Sequence, residues 1–432
     1  MSDPLALLPM AMAAGGGRVN EHEAGQLVAA GFTLLQRSAP LVRALGGRRA
    51  AILLPTSPAY FTALAASDGR GAVLIDPLAS PGYVAFQCAD ANVGAVFTLS
   101  SFMPRVPPGM TVVLLDDAPR RARVIAQGVS RLVDLGSHHG LSLEGERDAP
   151  GSDEEAAVVY TSPSRGTSLG AVLTHANLLA SARACVQVSG GTADDHVLAL
   201  LPFARLFGLT VTGVAPLLAG AHVTTMDRVD PVRVTEALAC GITHLVGVPA
   251  VFRVLLGAME RRPASVSLGT LRVCVCGGGA LTVELQERWA NATGVELRQG
   301  YGVTEASPVC LFNDVAHPNV RGTLGRPLPG VEIAILPVTG SVTAGTPAPG
   351  SAMTPVADGI TGEICVRGAN VFGGYLGHRD GGRALRDEWL HTGDVGSMNP
   401  DGTVTLLLAG RPEYHGPRDA PSDDAGRPTP SA

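Results

Sequence analysis

Short apolar runs alternate along this sequence with segments of helical period. RRAAILLPT (48–56) is followed by SPAYFTALAAS (57–67), and GAVLIDP (71–77) by SPGYVAFQCADAN (80–92) and then GAVFTLS (94–100). Further on, HVLALLPF (196–203), AHVTTMD (221–227), ITHLVGV (242–248) and LRVCVC (271–276) are spaced by DPVRVTEALAC, AVFRVLLGAMERR and TVELQERWANAT. Strand, helix and strand in alternation predict an α/β fold of parallel sheets covered by helices. Past about residue 320 the helical segments fade. GVEIAILP, GEICVRG and GTVTLLLAG read as short strands with Gly and Pro turns, so a small β-rich subdomain is expected to follow. The Pro/Gly-rich stretch 337–359 reads as a mobile loop, and the final GPRDAPSDDAGRPTPSA as a disordered tail.

A length of 432 residues with 46% hydrophobic content allows two or three packed units with ample core. The net charge of -6 argues against nucleic acid or an anionic membrane as main partner. No apolar run reaches the roughly 18 residues that a membrane span needs. MSDPLALLPMAMAAGGGR lacks a basic n-region, so a frayed start is expected rather than a signal peptide. The seven Cys are scattered and form no CxxC pair. Cys274 and Cys276 fall on one face of a strand and read as small buried side chains, and a reduced cytoplasmic compartment fits. All 32 basic residues are Arg; there is no Lys. Whatever coding bias lies behind this, no ammonium is present to cradle phosphate or to form a Schiff base.

Four short segments carry candidate chemistry. YTSPSRGTSLG (160–170) is a Ser/Thr/Gly loop between two apolar runs. VCVCGGGALT (273–282) is a strand, a glycine turn and a helix start at the N-cap Thr282, with Glu284 in the first turn. Its glycines would let a flat ligand lie on bare backbone, or would simply serve a tight turn. GYGVTE (300–305) places Tyr301 between two glycines, suiting base stacking. There Thr304 can bond a phosphate oxygen and Glu305 can hold Mg²⁺, unless this is a surface turn with a solvated Glu. In WLHTGDVG, Asp394 can accept both ribose hydroxyls or make an ordinary Asx turn.

Together these spacings resemble the adenylate-forming superfamily of acyl- and aryl-CoA ligases, amino-acid adenylation domains and luciferases. The likeness runs from about Leu34 to Arg411. It includes LPFARLFGL, GVPAVF, GRPLPGVEIAIL and GEICVRGANVFGGY in order. It implies two stacked αβ subdomains over residues 1–320, a small distorted β-barrel-like subdomain over 321–410, and a tail over 411–432 in place of the C-terminal lid domain. It further implies ATP or AMP with Mg²⁺, a carboxylic acid or its acyl thioester or adenylate as substrate, and CoA or a carrier-protein thiol as acceptor. By the same resemblance Tyr160–Gly170 is the phosphate loop, with Thr161, Ser162, Ser164 and Gly166 on phosphate. Gly278, Gly279, Ala280, Tyr301 and Gly302 would then hold adenine. Thr304 and Glu305 would hold phosphate and metal, and Asp394 and Arg411 the ribose.

The pattern also departs from the family. Pro163 replaces a Gly in the phosphate loop, removing a donor. Leu169 stands at the usual Lys, while Arg165 can return a positive charge or block the site. Arg205 replaces a His at the acyl pocket and hints at a polar or anionic acid. Glu413 and Tyr414 stand where Lys and Asp are usual. Thr304, Glu305, Arg165 and Arg205 are the expected catalytic residues. The expected function is therefore an AMP-forming acid–thiol ligase whose adenylation is impaired or assisted by a Lys-bearing partner. The alternatives are an ATP-independent enzyme working on an activated acyl group, or a non-catalytic binding relic. GTSLG (166–170) also matches the GxSxG nucleophile elbow of serine hydrolases, which requires a helix starting at Ser168.

Overall fold

The alternation of runs is realised as two large sheets in a computed structural model, which describes residues 7–67, 70–136, 151–161, 168–261, 268–337, 355–377 and 384–409. From edge to edge, the first sheet is Gly170–Thr174, Glu155–Tyr160, Ala72–Leu74, Arg49–Leu53, Val93–Thr98, Thr111–Asp117, Arg121–Ala126 and Val129–Asp134. The strands from Glu155–Tyr160 to Thr111–Asp117 are parallel and the others antiparallel. The second sheet contains, in lateral order, Arg326–Pro327, Val309–Phe312, Leu297–Gly302, Val273–Cys276, His244–Gly247, His196–Ala199, His222–Thr225, Arg18–Val19 and His22–Glu23. It is parallel from Leu297–Gly302 to Arg18–Val19. Its last strand, Arg326–Pro327, lies beyond residue 320. A third, antiparallel sheet joins Val331–Leu336, Gly362–Gly368, Trp389–Met398, Leu385–Arg386 and Val404–Leu408.

Side-chain alternation stacks these layers. In Arg49–Leu53, Ala50 and Ile52 enter the central core, while Ala51 and Leu53 pack on the opposite face with Val84 and Cys88 of the helix Pro81–Asp90. In the second sheet, Val273 and Val275 face the same central core. Cys274 and Cys276 face the outer helices Pro249–Arg261 and Val283–Thr293, against Phe252, Leu285 and Trp289. The helices Ala24–Arg37, Ala59–Ala66 and His175–Ser189 contribute to the central layer between the sheets. Burial pushes the thiols of Cys274 and Cys276 up to about 12, so both are small neutral core groups as expected. Thr282 caps Val283–Thr293 by accepting the Leu285 N–H at 3.2 Å. Trp289 is fully buried edge-on to Phe252, with ring centroids 4.8 Å apart.

One expectation about the start of the chain is corrected. The N-terminal segment is not frayed from residue 8 onward: Leu8–Gly15 is a helix, with Leu8 and Met12 buried. It is pinned where the Leu8 N–H donates to Nδ1 of buried His175 at 3.1 Å. His175 is thus an acceptor at Nδ1, and the cap of its own helix is Thr174, in a reciprocal capping box with Asn177. The stretch 337–359 lies largely outside the described residues, and the tail wholly so.

Candidate active site

The site lies at the carboxyl ends of the parallel strands, where open α/β sheets bind ligands. Glu155–Tyr160 runs into the loop at 161, Val273–Cys276 into Gly277–Ala280, and Leu297–Gly302 into Thr304–Ala306. Residues Ser162, Ser164, Arg165 and Gly166 lie outside the described residues, as does Arg411. The base of the loop is closed by Thr161. Its N–H donates to the Leu169 carbonyl at 2.9 Å, and its Oγ1 accepts the Leu169 N–H at 3.1 Å. Ser168 donates to the Thr161 carbonyl at 2.6 Å and lies 2.6 Å from the Tyr83 hydroxyl. Ser168 leads into the strand Gly170–Thr174, not a helix. The nucleophile-elbow geometry is therefore not formed, and that reading is corrected.

Gly278, Gly279 and Ala280 form an exposed ledge. A Cβ on Gly277 would fall 2.8 Å from the Phe207 ring, whereas one on Gly278 would meet nothing closer than Val248 at 3.6 Å. The ledge is thus fixed from beneath and open above, which fits a flat group. Gly302 is required for a different reason: a Cβ there would lie 1.7 Å from the Pro308 carbonyl oxygen. Tyr301, just before it, does not offer a free ring edge. Its hydroxyl donates to Asp394 Oδ2 at 2.6 Å, and burial raises it well above the usual phenol range, keeping the proton on.

Asp394 is buried within the strand Trp389–Met398 rather than in a polar turn, which corrects the Asx-turn alternative. A clamp absent from the sequence reading holds it. Buried Glu363 accepts the Gly393 N–H at 3.0 Å through Oε1 and lies 3.0 Å from His391 Nδ1 through Oε2. Thr392 Oγ1 accepts the Asp394 N–H at 3.1 Å.

Glu305 is half-buried. Its Oε1 accepts the Tyr375 hydroxyl at 2.6 Å, and its carbonyl accepts the Phe372 N–H at 2.8 Å. Among the described residues Oε2 accepts no hydrogen bond. That oxygen, beside the hydroxyl-bearing Thr304, fits a hard cation shared with phosphate oxygens. Residues 369–376 act as a crosspiece. Val172 donates to the Gly374 carbonyl at 3.0 Å, and Leu376 donates to the Gly170 carbonyl at 2.8 Å. Asn370 donates to the Ala306 and Val309 carbonyls at 2.9 and 3.2 Å. The strand Gly170–Thr174 is thereby tied to the turn that carries Glu305. Tyr375 belongs to the FGGY string, and its partner could be found only in three dimensions.

Beside the ledge, a cavity partly open to solvent lies against the second sheet, lined mainly by apolar residues such as Phe207, Val211, Val275 and Val309. Arg205 is not among its lining residues. The guanidinium of Arg205 is half-exposed and 3.7 Å from Asp76 Oδ2. The far end of the cavity holds Asp195 and His244. Arg272 binds the Asp195 carboxylate at 2.6 Å and the Thr192 N–H donates to it at 2.7 Å. Burial works against the charge of Asp195, but these bonds outweigh it and hold the carboxyl below its usual range.

Burial pushes His244 and His196 down to about 4 from an ordinary 6.5. Below pH 6.5 the unfolded chain takes up protons that these rings refuse, so their stabilisation is complete above that pH and falls as pH drops towards 4. Unfolding at pH 7 and pH 4.5 should show a loss, of which His244→Asn removes about 2 kcal/mol. An unchanged acid limb in that variant would refute the assignment.

A profile described as AMP-binding enzyme matches residues 39–376. The chain belongs to the AMP-binding enzyme family. This AMP-binding enzyme is 30% identical over 407 residues to 4-coumarate–CoA ligase-like 4 of Oryza sativa subsp. japonica, covering 91% of this chain and 70% of that one. It is 31% identical over 364 residues to a feruloyl-CoA synthase of an Amycolatopsis species, covering 82% and 67%. Among solved structures, ATP-bound MatB from Rhodopseudomonas palustris superposes with a TM-score of 0.75 at 23% identity, over 94% of this chain and 78% of that one. The N-terminal domain of FACL13 from Mycobacterium tuberculosis superposes with a TM-score of 0.74 at 19% identity, over 93% and 99%. These likenesses bear out the α/β fold expected of an adenylate-forming enzyme. No helix among the described residues is long and apolar enough to cross a membrane.

Proposed function

We propose that this AMP-binding enzyme is an AMP-forming acid–thiol ligase in which a carboxylic acid attacks the α-phosphate of ATP, and the acyl group then passes to CoA or a carrier-protein thiol. The single observation that carries the reading is the crosspiece at 369–376, which ties the strand leaving the phosphate loop to Glu305. The ledge Gly278–Ala280 would take the adenine beside Tyr301. Asp394, held by the Glu363 clamp, would accept the ribose hydroxyls, and Thr304 would bond phosphate. Mg²⁺ held by Glu305 would neutralise charge between phosphates. Thr161 and Ser168 close the base of the loop and would shape it. Roles for Ser162, Ser164, Arg165, Gly166 and Arg411 belong to the same reading.

With no Lys in the sequence, the charge that develops at phosphate during adenylation would depend on Arg165 or on a cation from a Lys-bearing partner. One preorganised donor is worth about 10²–10³ in rate, so adenylation by the isolated chain should be slow. ATP–pyrophosphate exchange measures this directly. Leu169→Lys restores an ammonium at the family's usual position and should raise exchange about tenfold. Exchange at the rate of ordinary ligases in the unmodified chain, with no gain in the variant, would refute this account. Stabilisation by an acyl-AMP analogue, with none by ATP, would favour the alternative of an enzyme acting on an already activated acyl group.

A further inference from the structure

Three ligand-forming side chains meet on two paired strands of the third sheet. Cys365 of Gly362–Gly368 stands opposite His391 of Trp389–Met398 in the antiparallel register, where opposed side chains approach closely. Glu363, two residues before Cys365, joins them. Cys365 Sγ lies 3.4 Å from His391 Nδ1, and that nitrogen lies 3.0 Å from Glu363 Oε2. One ligand atom from each residue falls within 4.8 Å of the others, and all three residues are buried. No second group of this kind forms among the described residues.

Zinc bound at about 2.3 Å to sulfur and about 2.0–2.1 Å to nitrogen or oxygen sets its ligand atoms about 3.3–3.6 Å apart in a tetrahedron. The Cys365–His391 and His391–Glu363 separations are already close to that spacing, and the third pair has only to draw in. The ligands are also held from outside the group. Glu363 Oε1 accepts the Gly393 N–H at 3.0 Å, which leaves Oε2 turned towards His391. The His391 backbone N–H donates to the Ala384 carbonyl at 2.7 Å, and Ala334, Leu336 and Trp389 pack around Cys365. Such outer contacts fix the orientation of metal ligands.

The charges balance as well. One thiolate and one carboxylate offset a dication, so a filled site brings no net charge into the interior. Burial and the Glu363 carboxylate push the Cys365 thiol up, so the bare site keeps the thiol proton. A bound dication reverses that order, because a coordinating thiol is deprotonated outright. The sulfur–metal bond forms as the S–H bond breaks, and the proton passes to solvent. Sulfur and imidazole ligands select zinc over Mg²⁺ or Ca²⁺, which take oxygen. Three protein ligands leave the fourth position to water.

We propose that Glu363, Cys365 and His391 bind one zinc-class dication, and that the ion locks the strand carrying Asp394. The site is separate from Glu305 and does not depend on the ligase reading.

The test strips the full chain with a chelator and titrates it with Co²⁺ as a coloured substitute for Zn²⁺. A cobalt–thiolate bond gives a charge-transfer band in the near ultraviolet. One equivalent of Co²⁺ should complete the band, and Zn²⁺ should bleach it and raise the melting temperature. Cys365→Ser should lose the band and more than about tenfold in Zn²⁺ affinity by calorimetry. His391→Asn keeps the thiol, serves as the second variant if the first fails to fold, and should lose as much affinity. Cys240→Ser is the control, because Cys240 alone among the seven cysteines is exposed, and it should keep the band. No band in the unmodified chain, a band at full strength in Cys365→Ser or His391→Asn, or a band removed by Cys240→Ser would overturn the proposal. Amide hydrogen exchange at Thr392–Val395 should slow when Zn²⁺ is added, and unchanged exchange there would overturn the lock on Asp394.

Discussion

Glu305→Gln is expected to lower pyrophosphate exchange by about 10²–10³-fold and to abolish the Mg²⁺-dependent part of ATP protection in a thermal shift. The substitution preserves size and still offers an oxygen to the Tyr375 hydroxyl, so the crosspiece bond of 2.6 Å survives while the charge is lost. The effect should fall on metal-dependent binding and turnover, with melting in the absence of nucleotide unchanged. Tyr375→Phe tests the support rather than the charge. It should cost about tenfold, within the range for partners that orient a metal ligand, and part of that loss should be recovered at high Mg²⁺. If Glu305→Gln retains full exchange and the same Mg²⁺ dependence, Glu305 is not the metal group and the proposed site is wrong.

Gly302→Ala should cost about 3 kcal/mol or more in stability and remove the response to AMP. The added methyl would stand 1.7 Å from the Pro308 carbonyl oxygen, 2.7 Å from its carbon and 2.9 Å from Val309 Cα. All three are backbone atoms, so no side-chain rotation relieves the contact. Either Tyr301 or the turn at 304–306 must shift, and with it the groups proposed to face the nucleotide. Gly82→Ala is the control: it sits in the first turn of Pro81–Asp90 with nothing within 4 Å of a built Cβ. It should be neutral or stabilise by up to about 1 kcal/mol. Equal melting behaviour of the two variants would show that the close approach at Gly302 relaxes freely.

The Glu363–His391 pair gives Asp394 a rigidity that the string HTGD does not advertise. A buried carboxylate that accepts the Gly393 N–H holds the backbone just ahead of Asp394. The Tyr301 hydroxyl approaches the Asp394 carboxylate from the second sheet, so two sheets meet at one side chain. That junction explains why substitutions at Tyr301 and Asp394 should not act independently.

The alternation of apolar runs and helical segments was enough to read parallel sheets covered by helices, because burial on both faces leaves a continuous apolar run in each central strand. The same holds for the cap at Thr282, the buried Cys274 and Cys276, and the strands after residue 330, whose cues are local. Local cues failed where the partner lies far along the chain. Nothing in LPMAMAAG says that Leu8 will meet His175, and nothing in RV or HE says that a two-residue strand will add to the second sheet beside His222–Thr225. Asp394 looked like a turn residue because a Gly precedes it, yet pairing across Trp389–Met398 draws it into a strand. Arg205 suggested a polar pocket, yet the cavity against the second sheet is walled by Phe207 of the helix Leu206–Leu209 and Val275 of the strand Val273–Cys276. Sequence period reports which side of an element is buried; which distant side chain fills the space opposite is decided by the docking of layers, and here that docking built both the crosspiece and the apolar cavity.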